Sequence, residues 1–195
     1  MRAVVGLGNP GPQYTSTRHN AGFMLADAVA KEWALPAFKR PWLWRARVTR
    51  GVVGGEQVVV VKPQTYMNRS GTALGSLLKD PAFDPARDLL VLVDEIALPL
   101  GSFRIRSRGS AGGHNGLRSI AGRLMSEDYA RLRIGIGPRP NDEDATDFVL
   151  GEFDPAESKS LSALLPRLIE VVECWVHEGV EATMNRFNRR GAKSE

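Results

Sequence analysis

A single three-layer α/β domain, with a mixed, mostly parallel twisted sheet flanked by helices, is the fold class this sequence predicts. Three observations predict it. Short runs rich in Val, Leu and Ile alternate along the chain with amphipathic stretches, the order of strands interleaved with helices. The length, 195 residues, lies below the size at which one core usually splits into two. No internal repeat or low-complexity segment interrupts the pattern. One domain is expected over residues 1–188, followed by a basic tail, 189–195, without fixed structure.

The elements follow in order. Arg2–Leu7 reads as the first strand, and Ala21–Trp33 as a helix behind Asn20, a candidate cap. Leu43–Arg50 turns through Gly54-Gly55 to pair with Gln57–Lys62, and Ser70–Leu78 reads as the next helix. Leu89–Asp94, Gly101–Arg108 and Leu132–Gly137 complete the strands, with a helix over Leu117–Met125. The last segment, Ala156–Asn188, is long and amphipathic, with Leu165, Ile169, Val172 and Trp175 as its core stripe. Pro166 lies inside it and is expected to start or kink a helix, because proline lacks the N–H that a helix interior needs.

Charge and cysteine content narrow the function classes. The net charge is +4, with Arg far outnumbering Lys, which favours a polyanionic partner. Arg104, Arg106 and Arg108 alternate and so share one face of a strand, and Arg118, Arg123, Arg131, Arg133 and Arg139 follow. Each arginine alone also fits a charged edge strand that resists pairing with other chains. A single cysteine, Cys174, excludes an internal disulfide framework. Three histidines with no carboxylate cluster at ligand spacing point to no structural metal and no cofactor. The strand begins directly after Met1 and no apolar run reaches membrane-spanning length, so a soluble cytoplasmic protein with no membrane partner is expected.

Four polar motifs stand where strands should end or helices begin: GLGNPG at 6–11, RHNAGF at 18–23, TYMNRSG at 65–71 and AGGHNG at 111–116. They supply Asn9, His19, Asn68, His114 and Asn115, while Asp94 closes an apolar run. Buried Asn and His need hydrogen-bond partners, so their grouping at strand ends points to a site. GLGNPG satisfies the G-x-G-x-x-G pattern of a dinucleotide turn, but Pro10 and Pro12 stop a helix from opening on those glycines. The ribose-binding acid is missing as well, since Asp27 and Glu32 fall inside the following helix. No G-x-S-x-G elbow is present, and Cys174 sits among Val171, Val172 and Trp175 as a packing residue. The remaining histidine, acid and amides make a kit for activating water by general base catalysis. Taken alone, Asn9 and Asn115 also fit turns and Asn68 a helix cap.

Read together, GLGNPG, TRHNAGF, KPQTYMNRSG, DE before LPLG, GSAGGHNGLRSI, RLRIGIG and DFVLGEF occur in the order found in the bacterial peptidyl-tRNA hydrolase family, which the chain resembles to about residue 153. The resemblance implies hydrolysis of the ester between a peptide and the terminal ribose of tRNA, by a monomer that needs no metal. It assigns His19 as general base, Asp94 as the carboxylate that orients it, and Asn9 to position the ester or the attacking water. Asn68 and Asn115 would hold the peptide or the tRNA 3′ end, and Tyr66 would lie against substrate. Tyr14 and Met67 would form apolar walls. His114 would shape its loop or touch substrate, and Arg106 with Arg133 would clamp the tRNA 5′ phosphate at the acceptor stem. Two positions depart from the pattern: Ala97 stands where a second acid is common, and Arg106 where lysine is more usual. Relatives that bind RNA as splicing factors without hydrolysis form the alternative, and retention of Asn9, His19, Asn68, Asp94 and Asn115 favours the enzyme.

Overall fold

The computed structural model describes residues 1–188, so the expected basic tail at 189–195 lies outside the described residues. Six strands form one sheet: β1 Arg2–Gly6, β2 Ala46–Val53, β3 Glu56–Pro63, β4 Leu89–Pro99, β5 Phe103–Arg108 and β6 Asp128–Gly137. Their order is β2-β3-β1-β4-β6-β5. The inner pairings β3–β1, β1–β4 and β4–β6 are parallel, and antiparallel β2 and β5 close the two edges, so the sheet is mixed and mostly parallel as expected. Val4, Val5, Leu90 and Val91 are wholly buried, as parallel strands covered on both faces require.

The helices are α1 Ala21–Glu32, α2 Pro85–Asp88, α3 Asn115–Leu124, α4 Ala145–Leu150 and α5 Pro155–Phe187. Helices α1 and α5 cover one face, where Leu25, Val29, Leu168, Val172 and Trp175 meet Val4, Leu90 and Leu132. The other face carries α3 and the turn Met67–Ser76, which bring Leu74, Leu117 and Ile120 against Val5, Val61 and Val93. Close approach of α1 to the sheet explains two glycines of the first motifs. A Cβ on Gly6 would stand 2.4 Å from the Gly22 carbonyl oxygen, and one on Gly22 would stand 2.4 Å from that of Leu92.

Two expectations of local structure are corrected. The helix expected over Ser70–Leu78 is a 3-10 run from Met67 to Ser76. Its side chains serve both the core, through Leu74, and the α3 contact, where the Ser119 hydroxyl oxygen accepts the Gly71 N–H at 3.0 Å. In α5 the backbone leaves helical geometry at Gly179, with φ 80° and ψ 177°, and not at Pro166. Glycine carries no Cβ penalty at positive φ, so the break falls where it costs least. The expected stripe of α5 is rotated slightly: Val172 and Trp175 are buried with Leu168, Val171 and Val176, while Leu165 and Ile169 lie at its margin.

Candidate active site

The site forms where the chain leaving β1 runs toward β2 and β3 on one side of the sheet and the chain leaving its neighbour β4 runs toward β5 and β6 on the other. β1 lies between β3 and β4, and chains leaving the carboxyl ends of such strands diverge to form a crevice. Asn9 follows β1, Tyr66, Met67 and Asn68 follow β3, and Asp94 lies in β4. His19 is the middle residue of the 3-10 turn Arg18–Asn20 before α1, and His114 precedes α3. A cavity of about 400 Å³ opens at this point, lined by Asn9, His19, Tyr66, Met67, Asn68, Asp94, His114 and Asn115.

Asp94 is the hub. It is 4% exposed, and the His19 Nδ1 lies 2.9 Å and 3.0 Å from its two oxygens. A carboxylate only accepts hydrogen bonds, so Nδ1 of His19 carries the hydrogen and Nε2 keeps a free lone pair. His114 approaches Asp94 from α3, its Nε2 3.0 Å from Oδ1. Its Nδ1 accepts the N–H groups of Gly116 and Leu117 at 3.1 and 3.3 Å, capping α3. That cap fixes the His114 hydrogen on Nε2, where it donates to Asp94. Burial alone would push the Asp94 pKa up; electrostatic attraction by His114 and then His19, with hydrogen bonds from both rings, outweighs it and holds the carboxyl well below the usual range.

Asn9 is oriented with equal economy. The Asn20 side chain clamps its backbone: Oδ1 of Asn20 accepts the Asn9 N–H at 2.8 Å, and Nδ2 donates to the Asn9 carbonyl at 3.0 Å. Asn20 thus stands at the N-cap position of α1 without capping it by its side chain, contrary to the expected role. Oδ1 of Asn9 accepts the Met67 N–H at 2.9 Å. With its oxygen committed, the Asn9 side chain offers its NH₂ end.

The approach to His19 is braced from the far end of the domain. Arg18 donates to Glu157 at 2.7 Å and to the Phe148 carbonyl at 3.3 Å, and its backbone N–H reaches the Gly151 carbonyl at 3.0 Å. Glu157 also completes a capping box with Asp154 at the start of α5. The DFVLGEF segment therefore supports the histidine turn, and Ala145, Thr146, Val149 and Leu150 of α4 add one wall of the crevice.

The remaining site candidates divide. Asn68, Tyr66 and Asn115 are exposed on the rim, Asn115 accepting from Arg118 at 3.1 Å. Met67 is buried in the wall. Tyr14 does not line the crevice; it lies in the short turn Pro12–Tyr14. Arg106 is exposed on β5. Arg133 pairs with Glu95, which lines the crevice beside Asp94, and also donates to the Ser110 carbonyl at 2.7 Å. Arg131, read with the basic run, is instead fully buried. It donates to the carbonyls of Gly109, Glu127 and Tyr129 and so holds the loop before His114, while burial lowers its pKa.

The clustering of His19, Asp94 and His114, with ligand atoms within 4.8 Å of one another, was not legible from their spacing along the chain. It corrects the argument that no carboxylate gathers with the histidines. The facing nitrogens of both rings are already spent on the Asp94 carboxylate, so an ion between them would have to displace these hydrogen bonds. Asn20 and Glu95 were also missed as members of the site. Their adjacency to His19 and Asp94 in sequence was the available signal.

The fold and the crevice together define an α/β enzyme furnished for hydrolysis: an imidazole, a carboxylate behind it and an amide donor, with neither serine nor cysteine in the lining. A family profile described as Peptidyl-tRNA hydrolase matches residues 3–195, and the chain belongs to the peptidyl-tRNA hydrolase family. It is 46% identical over 188 residues to the peptidyl-tRNA hydrolase of Chloroflexus aggregans, covering 96% of this chain and 99% of that one. The peptidyl-tRNA hydrolase of Gemmatimonas aurantiaca is 44% identical over 192 residues, covering 97% of this chain and all 100% of that protein. The crystal structure of peptidyl-tRNA hydrolase from Acinetobacter baumannii superposes with a TM-score of 0.88 at 33% identity, over 97% of this chain and 95% of that chain.

Proposed function

We propose that this protein hydrolyses the ester between the peptide and the tRNA of peptidyl-tRNA, and of N-acyl-aminoacyl-tRNA, freeing tRNA for reuse in translation. The observation that carries the chemistry is the fixed tautomer of His19, whose Nδ1–H is spent on Asp94 while Nε2 remains a base. Water approaching the ester carbonyl gives its proton to Nε2 as its oxygen attacks. Asp94, held ionised, stabilises the imidazolium that forms. The Asn9 NH₂ meets the charge that develops on the carbonyl oxygen, and the proton on His19 then passes to the departing ribose oxygen. A positioned base contributes about 10² to 10⁴ and one oxyanion donor about 10² to 10³, enough for an ester without a covalent intermediate.

Asn68, Asn115 and Tyr66 on the rim hold the peptide and the tRNA 3′ end, with Met67 as an apolar wall. Arg106 and Arg133 contact phosphate at the acceptor stem, by charge and shape and not by base sequence. The protein acts as a cytoplasmic monomer. The test is turnover of N-acetyl-aminoacyl-tRNA by wild type and His19→Ala. The wild type should hydrolyse it, and the variant should lose at least about 100-fold in kcat while binding deacylated tRNA as before. Turnover of the variant within tenfold of wild type would refute the role of His19, and binding without turnover by the wild type would mark an RNA-binding protein.

A further inference from the structure

A second cavity, about 480 Å³, lies beside the crevice, and its walls include Arg40, Trp42, Trp44, Arg45, Gln64 and Thr65. It belongs to the segment between α1 and β2, to which the reaction assigns nothing. Residues 33–55 contain five cations, Lys39, Arg40, Arg45, Arg47 and Arg50, and no acid. All five are exposed, and none forms an ion pair among the described residues. Trp42 is 98% exposed. Leu43 beside it is 72% exposed, so the indole belongs to an uncovered apolar face set among cations. Trp44 is partly buried against the core, with the Arg50 guanidinium 5.1 Å from its ring centroid. The Thr65 hydroxyl, in the cavity wall, is buried without a hydrogen-bond partner among the described residues.

Position ties this surface to the crevice. The first residue of β2, Ala46, pairs with Pro63 at the carboxyl end of β3, and the Gln64 N–H donates to the Arg45 carbonyl at 2.8 Å. The cavity therefore opens at the same end of the sheet as the active site. Thr65 in its wall is followed directly by Tyr66, which is 62% exposed and lines the crevice. β2 and β5 are opposite edges of the sheet, so this surface and Arg106 flank the crevice from opposite sides.

We propose that the Trp42 surface binds an unpaired stretch of the substrate's RNA, a base stacking on the Trp42 indole while Arg40 and Arg45 take the adjoining phosphates. Exposed aromatic faces interleaved with unpaired guanidiniums are the recognition chemistry of single-stranded nucleic acid, because every base has a face to stack and every phosphate a charge. The absence of any acid across the segment removes the repulsion that a polyanion would otherwise meet. The proposal rests on the crevice being the site for peptidyl-tRNA and assigns that site a second hold on the RNA.

The probe is a short single-stranded RNA ending in the tRNA 3′ sequence, titrated against the full chain carrying His19→Ala while Trp fluorescence is followed. Quenching should occur and should disappear in Trp42→Phe, whose ring still stacks and retains part of the affinity. Trp42→Ala and the pair Arg40→Glu with Arg45→Glu should weaken binding about tenfold, and the charge pair should flatten its salt dependence. In the otherwise wild-type enzyme these changes should raise KM for full tRNA substrate with kcat nearly unchanged. Unaltered affinity and KM would overturn the proposal while leaving the hydrolase reading intact. Quenching without turnover by the wild type would keep the RNA site and remove the hydrolase reading. Loss of binding to peptide-length variants of the substrate or to anionic vesicles, with RNA binding unaffected, would assign the surface to another partner and overturn the proposal.

Discussion

Asp94→Asn tests the hub with a near-isosteric change. Asp94 accepts from two rings at once, through Oδ1 to His114 and through both oxygens to His19. An asparagine keeps one acceptor and replaces the other with an NH₂ group. His114 has no freedom to adapt, because its Nδ1 is spent on the Gly116 and Leu117 N–H groups and its Nε2 must donate. The amide oxygen therefore goes to His114, and the NH₂ group faces Nδ1 of His19. That contact is satisfied only when His19 moves its hydrogen to Nε2, which abolishes the base. Losing a positioned base costs about 10² to 10⁴ in rate, equivalent to about 2.7–5.4 kcal/mol in the barrier. The assay is single-turnover cleavage of N-acetyl-aminoacyl-tRNA at saturating enzyme, with near-ultraviolet circular dichroism confirming an unchanged fold. A rate within tenfold of wild type would show that His19 does not depend on Asp94 for its tautomer. Stability supplies an independent readout. Because the folded site holds the Asp94 carboxyl below its unfolded value near about 3.9, the unfolded chain takes up the proton first. Its stabilising contribution is therefore present above about pH 4 and is lost as pH falls toward the lower folded value. Urea midpoints measured between about pH 5 and 2.5 should fall more steeply for wild type than for Asp94→Asn; parallel curves would contradict the assigned shift.

Two further perturbations address the supports. Asn20→Ala removes both hydrogen bonds to the Asn9 backbone and leaves a buried N–H and carbonyl without partners, which should cost about 2–4 kcal/mol in urea unfolding. It should also lower kcat more than it raises KM, since the Asn9 amide is then no longer aimed; a purely structural role would lower stability and leave kcat unchanged. Arg106→Glu and Arg133→Glu should raise KM for full tRNA and spare a short 3′ fragment carrying the same ester, and equal losses on both substrates would remove the phosphate clamp. Arg133→Glu should show the larger effect, because it also sets two acids against each other at Glu95.

The sequence by itself determined the layers, the strand succession and most of the site's composition. Apolar runs at β1, β3 and β4 declare buried strands regardless of neighbours, and the polar residues buried at their carboxyl ends, Asn9 and Asp94, are costly to bury unless they are hydrogen-bonded. Family motifs then attached chemistry to His19 and Asp94. Tertiary structure alone decided what depends on approach in space. Whether Arg131 faces RNA or plugs the interior beneath the 109–113 loop cannot be read from a strand's alternation, since Arg131 and Arg133 share a face and differ only in what covers them. His114 as the cap of α3 and second partner of Asp94 follows from the placement of α3 over the end of β4, a packing of elements separated by 20 residues. The break of α5 at Gly179 instead of Pro166 has the same cause: local propensity names the residues at which a helix yields, and the surface it must follow chooses among them. Chemical identity is local and is written in the chain, whereas orientation, tautomer and burial are properties of contacts, which exist only once the layers have closed.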